Sequence, residues 1–218
     1  MANISQRGFR WVRSLYANAE SNHPVARGRL ASGYVPQIGA SGTYNLRVGD
    51  PITRLSTGYM AAAIGSEGTH DLIVGVVCGF GPIYNTTTGR QEAVREFAGG
   101  GGVYVTAYQN MSWVYYIPVA DQVFEVDADD GAAANDTEAE WIALVGQNAD
   151  HVLTSGSTPD LNPLLDISSA ATTAALQWNI IDYSPRIDND LTVTRAKVQV
   201  VCQMIQAAGA PGTFQTAI

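Results

Sequence analysis

The sequence predicts a mostly β protein: a single β-barrel or sandwich domain with one short helix and an extended N-terminal arm. Three observations carry this expectation. Short runs rich in β-branched and aromatic residues alternate with turn residues along most of the chain, which is the signature of many short strands. Glycine is abundant, 22 of 218 residues, as tight corners between strands require. A single segment, near residue 140, combines an apolar face with capping residues at both ends. The length suits one domain with a sizeable core. Hydrophobic residues make up 46% and charged residues 15%, the latter well below the roughly one quarter of ordinary soluble domains. The expected division is an arm and connector over 1–45, a β-rich body over 46–206 and a tail over 207–218.

Taken in order, residues 1–20 are ambiguous. Phe9, Val12, Leu15 and Tyr16 recur at helical spacing, yet Gly8 interrupts them and Phe9-Arg10-Trp11-Val12-Arg13 alternates like a strand. His23-Pro24, Gly28, Gly33, Pro36, Gly39 and Gly42 then keep the chain extended and turning. The turn Val48-Gly49-Asp50-Pro51 opens the body, followed by a strand over 52–55 and a break at Ser56-Thr57-Gly58. Leu72 to Phe80 is an apolar, β-branched run of one strand's length, so it reads as a strand covered on both faces and as the middle of the core.

Beyond it, Gln91 to Phe97 is polar and reads as a loop or one helical turn, and Gly99 to Gly102 as a corner. Strands are expected over 103–108, 113–119 and 123–126, the last ending at an acidic turn, Asp127 to Gly131. Thr137 to Val145 is the expected helix, capped by Asn135, Asp136 or Thr137 and closed by Gly146, with Trp141, Leu144 and Val145 on its apolar face. A loop is expected over 150–165 and strands over 174–181 and 192–205. In the last of these Val198, Val200, Cys202 and Met204 point one way and Lys197, Gln199 and Gln203 the other.

Charge divides the chain unevenly. The first thirty residues hold Arg7, Arg10, Arg13, Arg27 and Arg29 against Glu20, a net +4, and the remainder carries −12, giving −8 in all. An acidic body repels phosphate backbones, so no nucleic acid is expected as a partner. No apolar run reaches the ~20 residues of a membrane helix, and no signal-peptide core follows Met1, so neither a membrane nor export is expected. Cys78 and Cys202 stand alone in apolar runs and read as core residues.

Motifs for chemistry do not assemble. Asp127, Asp129 and Asp130 resemble a calcium loop only in part, because Gly131 takes a ligand position and Ala132 stands where glycine is required, so a solvated turn is expected. His23, His70 and His151 lie far apart and read as surface or turn residues. Ser41 and Ser157 do not complete a nucleophile elbow, and the glycine clusters at 79–82 and 99–102 lack a phosphate-binding pattern. Tyr104, Tyr108, Tyr115 and Tyr116 are candidates for a stacking face, with cross-strand packing the expected use. No catalytic residue, metal ligand or cofactor site is expected.

Several pieces taken together resemble the capsid-decoration (cement) and head structural proteins of tailed bacteriophages. They are Gly8-Phe9-Arg10 with Val12, Tyr34-Val35-Pro36, Val48-Gly49-Asp50-Pro51, Ile73 to Phe80, Val123-Phe124-Glu125-Val126, Asn148-Ala149-Asp150, Gly156-Ser157-Thr158, Leu165-Asp166, Ala171 to Ala174, and Arg186 with Asp188-Asn189. Each piece is common, and it is their order along the chain that carries the resemblance. Gly99 to Gly102 and the region 127–140 depart from it. The resemblance implies a β-rich structural protein, not an enzyme, made in the host cytoplasm and bound as a homotrimer to the major capsid protein on the outer surface of the head. Combined with the charge split, it makes the arm the expected shell-binding element, with Arg7, Arg10 and Arg13 facing acids and Phe9 and Trp11 as apolar anchors. A head-fibre or glycan-binding attachment module and a tail-tube or head–tail joining protein are the alternative readings.

Overall fold

The computed structural model describes residues 8–15, 24–30, 35–36, 44–63, 65–66, 69–85, 89–92, 96–99, 108–109, 113–129, 137–152, 163–172, 176–192, 196–206 and 214–216. Its main elements are β1 (Arg10–Ser14), β2 (Ala26–Arg29), β3 (Pro51–Arg54), β4 (Met60–Ala62), β5 (Gly75–Phe80), β6 (Trp113–Pro118), β7 (Gln122–Asp129), α1 (Glu138–Leu144), β8 (Asn148–Val152), β9 (Leu164–Ala171), β10 (Trp178–Tyr183) and β11 (Lys197–Cys202). The chain is mostly β with a single helix among the described residues, as its sequence predicts.

Five strands close into a barrel in the order β7–β9–β8–β10–β11 and back to β7. Only the β7–β9 contact is parallel. β7 is long enough to serve two neighbours on one edge: β9 takes Ala128 and Asp129, and β1 runs antiparallel along the rest, with Arg10 opposite Glu125. Closure leaves the ring without an open edge. Alternate residues of the ring, among them Phe124, Val126, Trp178, Ile180, Val198 and Val200, fill the interior, and Trp141 of α1 joins them.

A second sheet, β2–β6–β5–β3–β4, is antiparallel throughout and curls until Leu30 bridges Met60. Its own core is small: Leu30, Leu46, Ile52, Met60, Val77, Val114 and Tyr116. β5 separates the two cores. Val76 packs into the barrel cluster and Val77 into the smaller one, so this strand is covered on both faces, as its unbroken apolar sequence predicts. A bulge lets β6 serve both cores as well: Tyr115 opposes Gly79 and Tyr116 opposes Val77, leaving Cys78 as the extra residue. Gly75 is required at this wall, because a Cβ there would lie 2.2 Å from Tyr116 Cδ2 and 2.8 Å from the Ile117 carbonyl oxygen. Smaller pairings join Glu96–Gly99 to Val35–Pro36 and Tyr44–Arg47, Ile83–Asn85 to Arg90–Glu92 and Tyr108–Gln109, Gly65–Ser66 to Thr69–His70, and Met204–Gln206 to Phe214–Thr216.

The helix forms where expected. Thr137 caps it: Glu140 N donates to Thr137 Oγ1 at 3.4 Å while Thr137 N donates to Glu140 Oε2 at 3.0 Å. Gly146, at φ 87°, follows its end. Seven residues are too few for a stable isolated helix. Burial of Trp141, whose Nε1 donates to Leu191 O at 3.1 Å, holds it on the barrel.

The arm and connector expected over 1–45 is described only in part. There β1 joins the large sheet, β2 the small one, and Val35–Pro36 and Tyr44–Arg47 a third, the rest lying outside the described residues. The alternation of Phe9 and Trp11 against Arg10 wins over the competing helical spacing because Phe9 reaches the barrel core. Three expectations are corrected. Arg90–Glu92 and Glu96–Gly99 are strands, the first at the edge of a three-stranded sheet and the second between Val35–Pro36 and Tyr44–Arg47, so pairing with other segments extends them. β7 does not end at Val126 but runs to Asp129, because Ala128 faces the core and Asp127 meets a cation. The expected loop over 150–165 begins with a strand, Asn148–Val152, and ends in one, Leu164–Ala171. The expected strand over 103–108 and the glycines at 100–102 lie outside the described residues except for Tyr108.

Candidate partner-binding surface

The residues expected to grip a partner are mostly engaged within the chain. Phe9 is 3% exposed and stacks on Trp178 at 4.2 Å between centroids, so its ring is not available as an external anchor. Its N–H donates to Gly49 O at 2.9 Å, which brings the Gly8-Phe9 and Gly49-Asp50 segments together. Trp11 Nε1 donates to Gln122 Oε1 at 2.7 Å, and Arg10 Nη2 lies 3.3 Å from Glu125 Oε1. Arg13 is exposed, and Arg7 lies outside the described residues.

The strongest concentration of buried charge lies on the outer face of β7 and β11, under the segment 184–192. Glu125 Oε2 accepts from Ser184 Oγ at 2.5 Å, and its Oε1 faces both Arg10 and Arg186, the latter at 3.4 Å. Arg186 also forks onto Asp188, with Nε–Oδ1 at 2.8 Å and Nη2–Oδ2 at 3.0 Å. This fork holds the Asp188 carboxyl below its ordinary range, Arg186 being the main cause and Lys197 a minor one. Asn189 ties the segment down: its Oδ1 accepts from Lys197 N at 2.7 Å and its Nδ2 donates to Lys197 O at 2.9 Å. Asp127, expected in a solvated turn, is instead buried here beside Lys197. With carboxylate and guanidinium partners all supplied by the chain, this seam is a clasp that fixes the segment to the barrel.

His151 corrects another expectation. It is fully buried in the barrel core, where the sequence suggested surface. Trp178 Nε1 donates to its Nδ1 at 3.3 Å, so its Nε2 carries the proton donated to Ala63 O at 2.9 Å. Both nitrogens are satisfied, and the ring is packed edge-on by Phe9. It is a core residue that needs polar partners, not a base awaiting a substrate. His23 and the side chain of His70 lie outside the described residues, as do Ser41, Ser157 and Asp130. Among the described residues no group of three His, Cys, Asp or Glu side chains is placed to hold a metal ion, and no helix is long and apolar enough to cross a membrane. Cys202 is buried in the core and Cys78 half-buried against it, where desolvation pushes its thiol upward.

A different face carries charge outward. On β2, Gly28 points inward toward Met60 while Arg27 and Arg29 point out and are exposed. Across the ladder Arg29 opposes Trp113 and Arg27 opposes Tyr115. Both guanidinium carbons lie over the Trp113 ring, at 4.8 Å for Arg27 and 5.0 Å for Arg29. The indole orders two flexible cations in one place on the exposed face of the sheet. Beside Tyr115, above Gly79, the sheet face is open, since a Cβ there would meet nothing within 4 Å. The sequence hid this site. Gly28 contributes no side chain to the inward row, so the alternation of Arg27 and Arg29 with Gly28 and Leu30 does not show as a hydrophobic pattern. Of the four tyrosines in the expected stacking face, Tyr116 is core and Tyr115 flanks the arginines. The side chains of Tyr104 and Tyr108 are not among those described. No protein-family model, curated protein or solved structure matches the chain.

Proposed function

We propose that this protein is a capsid-decoration protein of a tailed bacteriophage, bound as a homotrimer to the major capsid protein on the outer surface of the head, and that it attaches through the Arg27–Trp113–Arg29 face. The motif order along the chain motivates the class of function, and one observation supports the surface: two exposed arginines stacked over one tryptophan on a chain of net charge −8. Ordered guanidiniums lose less entropy on pairing with carboxylates than free ones. They therefore suit an acidic patch on a protein lattice, with Trp113 and Tyr115 as the apolar part of the contact. The role is mechanical: contacts repeated through a trimer gain avidity and must break together before shell subunits part. Among the described residues of the expected arginine strip, Arg13 is exposed on β1 and can meet an acidic partner.

The test is occupancy on phage heads assembled without this protein. Arg27→Ala with Arg29→Ala should leave the fold intact and weaken head binding at least tenfold, and the wild-type affinity should fall as salt rises. Undiminished binding by the double variant would remove this face from the proposal. A glycan-binding module is the weaker reading, because the Trp113 ring, the best sugar-stacking platform described, already carries two guanidiniums.

A further inference from the structure

The chain's single lysine sits where a lysine is rarely found. Lys197 begins β11 directly opposite Asp127 on β7, and the two side chains are 2% and 1% exposed. Lys197 Nζ stands 4.0 Å from Asp127 Oδ1 and makes no hydrogen bond among the described residues. A buried ammonium in such a place is costly, because desolvation is offset only by close, hydrogen-bonded pairing. The backbone cannot slip to relieve it. Lys197 N donates to Asn189 Oδ1 at 2.7 Å, and Lys197 O accepts from Asn189 Nδ2 at 2.9 Å and from Ser184 N at 2.8 Å. Glu125, two residues before Asp127 on the same face, is engaged by Ser184, Arg10 and Arg186, and Asp188 is held in the Arg186 fork. Asp127 instead stands directly opposite Lys197 on the ladder, with its carboxyl oxygen nearest the amine.

We propose that Lys197 and Asp127 condense to an intramolecular amide, a covalent staple between β7 and β11. One proton passes from the ammonium to the carboxylate, giving an amine and a carboxylic acid. The Nζ lone pair attacks Asp127 Cγ and the N–C bond forms. The Cγ–O bond to the hydroxyl breaks, and the departing oxygen takes the proton shed by nitrogen and leaves as water. Atoms and electrons balance with no oxidant, reductant or further reactant. Holding the two groups as neighbours makes the step intramolecular, and a closer approach than the present 4.0 Å would bring it toward the high effective concentrations of aligned reactants. Exclusion of bulk water from the seam favours loss of the water formed. The product exchanges a buried ion pair for a neutral amide. This inference does not rest on the decoration proposal, and either can fail alone.

The experiment uses the full-length protein, purified, denatured and weighed, then digested with trypsin. The expected chain is about 18 Da lighter than its sequence, the loss of one water. Its digest should contain one branched peptide joining the segments around Asp127 and Lys197, with no cleavage after Lys197. Lys197→Met and Asp127→Ala should each restore the full mass of their own sequence and lose the branched peptide. A full-mass wild type whose chain is cut after Lys197 would overturn the proposal. So would a water loss without the branched peptide, as from cyclisation of an aspartate on its own backbone. Both of these readouts come from the wild-type chain, so neither requires the variants to fold.

Discussion

Arg10 and Arg29 come from the same basic stretch and sit on strands of similar length, yet they meet opposite fates. Arg10 lies on the edge of the barrel and is drawn to Glu125, where Arg186 and Ser184 complete a clasp. Arg29 lies on the second sheet and is presented outward over Trp113 beside Arg27. The difference follows from how each unit closes. The barrel is a complete ring, and most of its buried polar side chains, His151 included, are hydrogen-bonded within the chain, with the Lys197 amine the exception taken up above. The second sheet closes through one bridge, Leu30 to Met60, around a small core, and turns its charges to solvent. One unit supplies rigidity and the other a surface. Removing a group from the first should therefore cost stability, and removing charge from the face of the second should cost binding.

The largest expected break is Trp178→Ala. It removes the stack with Phe9, the contact with Phe124 and the donor to His151 Nδ1. The loss should be about 3–5 kcal/mol, enough to unfold a marginal domain. Urea titration would measure it, and a loss below about 1 kcal/mol would mean that the barrel is not the stabilising unit.

Two glycines sharpen the comparison at the next level. Gly75→Ala places a Cβ 2.8 Å from a backbone oxygen of β6 in the wall shared by both cores. Overpacking there should cost about 1–3 kcal/mol. Gly28→Ala meets only the side chain of Met60, at 2.5 Å from its Cγ, in the smaller core. Met60 is flexible and can turn aside, so the cost should be smaller. If Gly28→Ala proved the more damaging of the two, the single-bridge sheet would be the stiffer unit and the comparison would reverse.

What the sequence reveals follows the same division. The strand Gly75–Phe80 and the helix with its capping box are legible because their signals are local: an unbroken apolar run, and Thr137 three residues before Glu140. Asp127 and His151 are misread because burial of a polar side chain depends on partners far along the chain, such as Lys197 for Asp127 and Trp178 for His151. Phe9 is misread for a related reason: its alternation shows a strand, but nothing near it in sequence shows that the partner strand is β7. The outward arginines are hidden by a glycine whose role, making room for Met60, exists only in the folded sheet.

Smaller perturbations probe the barrel's rim. Thr137→Ala removes the cap that accepts from Glu140 N and should cost about 1 kcal/mol, read as a lower urea midpoint with the slope unchanged. If the loss were negligible, Trp141 packing alone would hold α1 in place.

The smallest effect is a pH dependence at Asp188. Its carboxyl is held below the ordinary value of 3.8, mainly by the hydrogen-bonded fork from Arg186. A group with a depressed folded value binds its proton more readily in the unfolded chain. Its stabilising contribution is therefore complete above that ordinary value and is lost as pH falls through the lower folded value. Asp188→Asn should remove this part of the acid limb, so that melting temperatures of variant and wild type converge as pH falls from about 5 to about 2. Glu125 remains as the second acid on Arg186, so the seam should stay closed and binding through the Arg27–Trp113–Arg29 face should not change. A variant that lost head binding along with its acid limb would show that the clasp and the outward face are coupled, and that rigidity and surface do not divide between the two units.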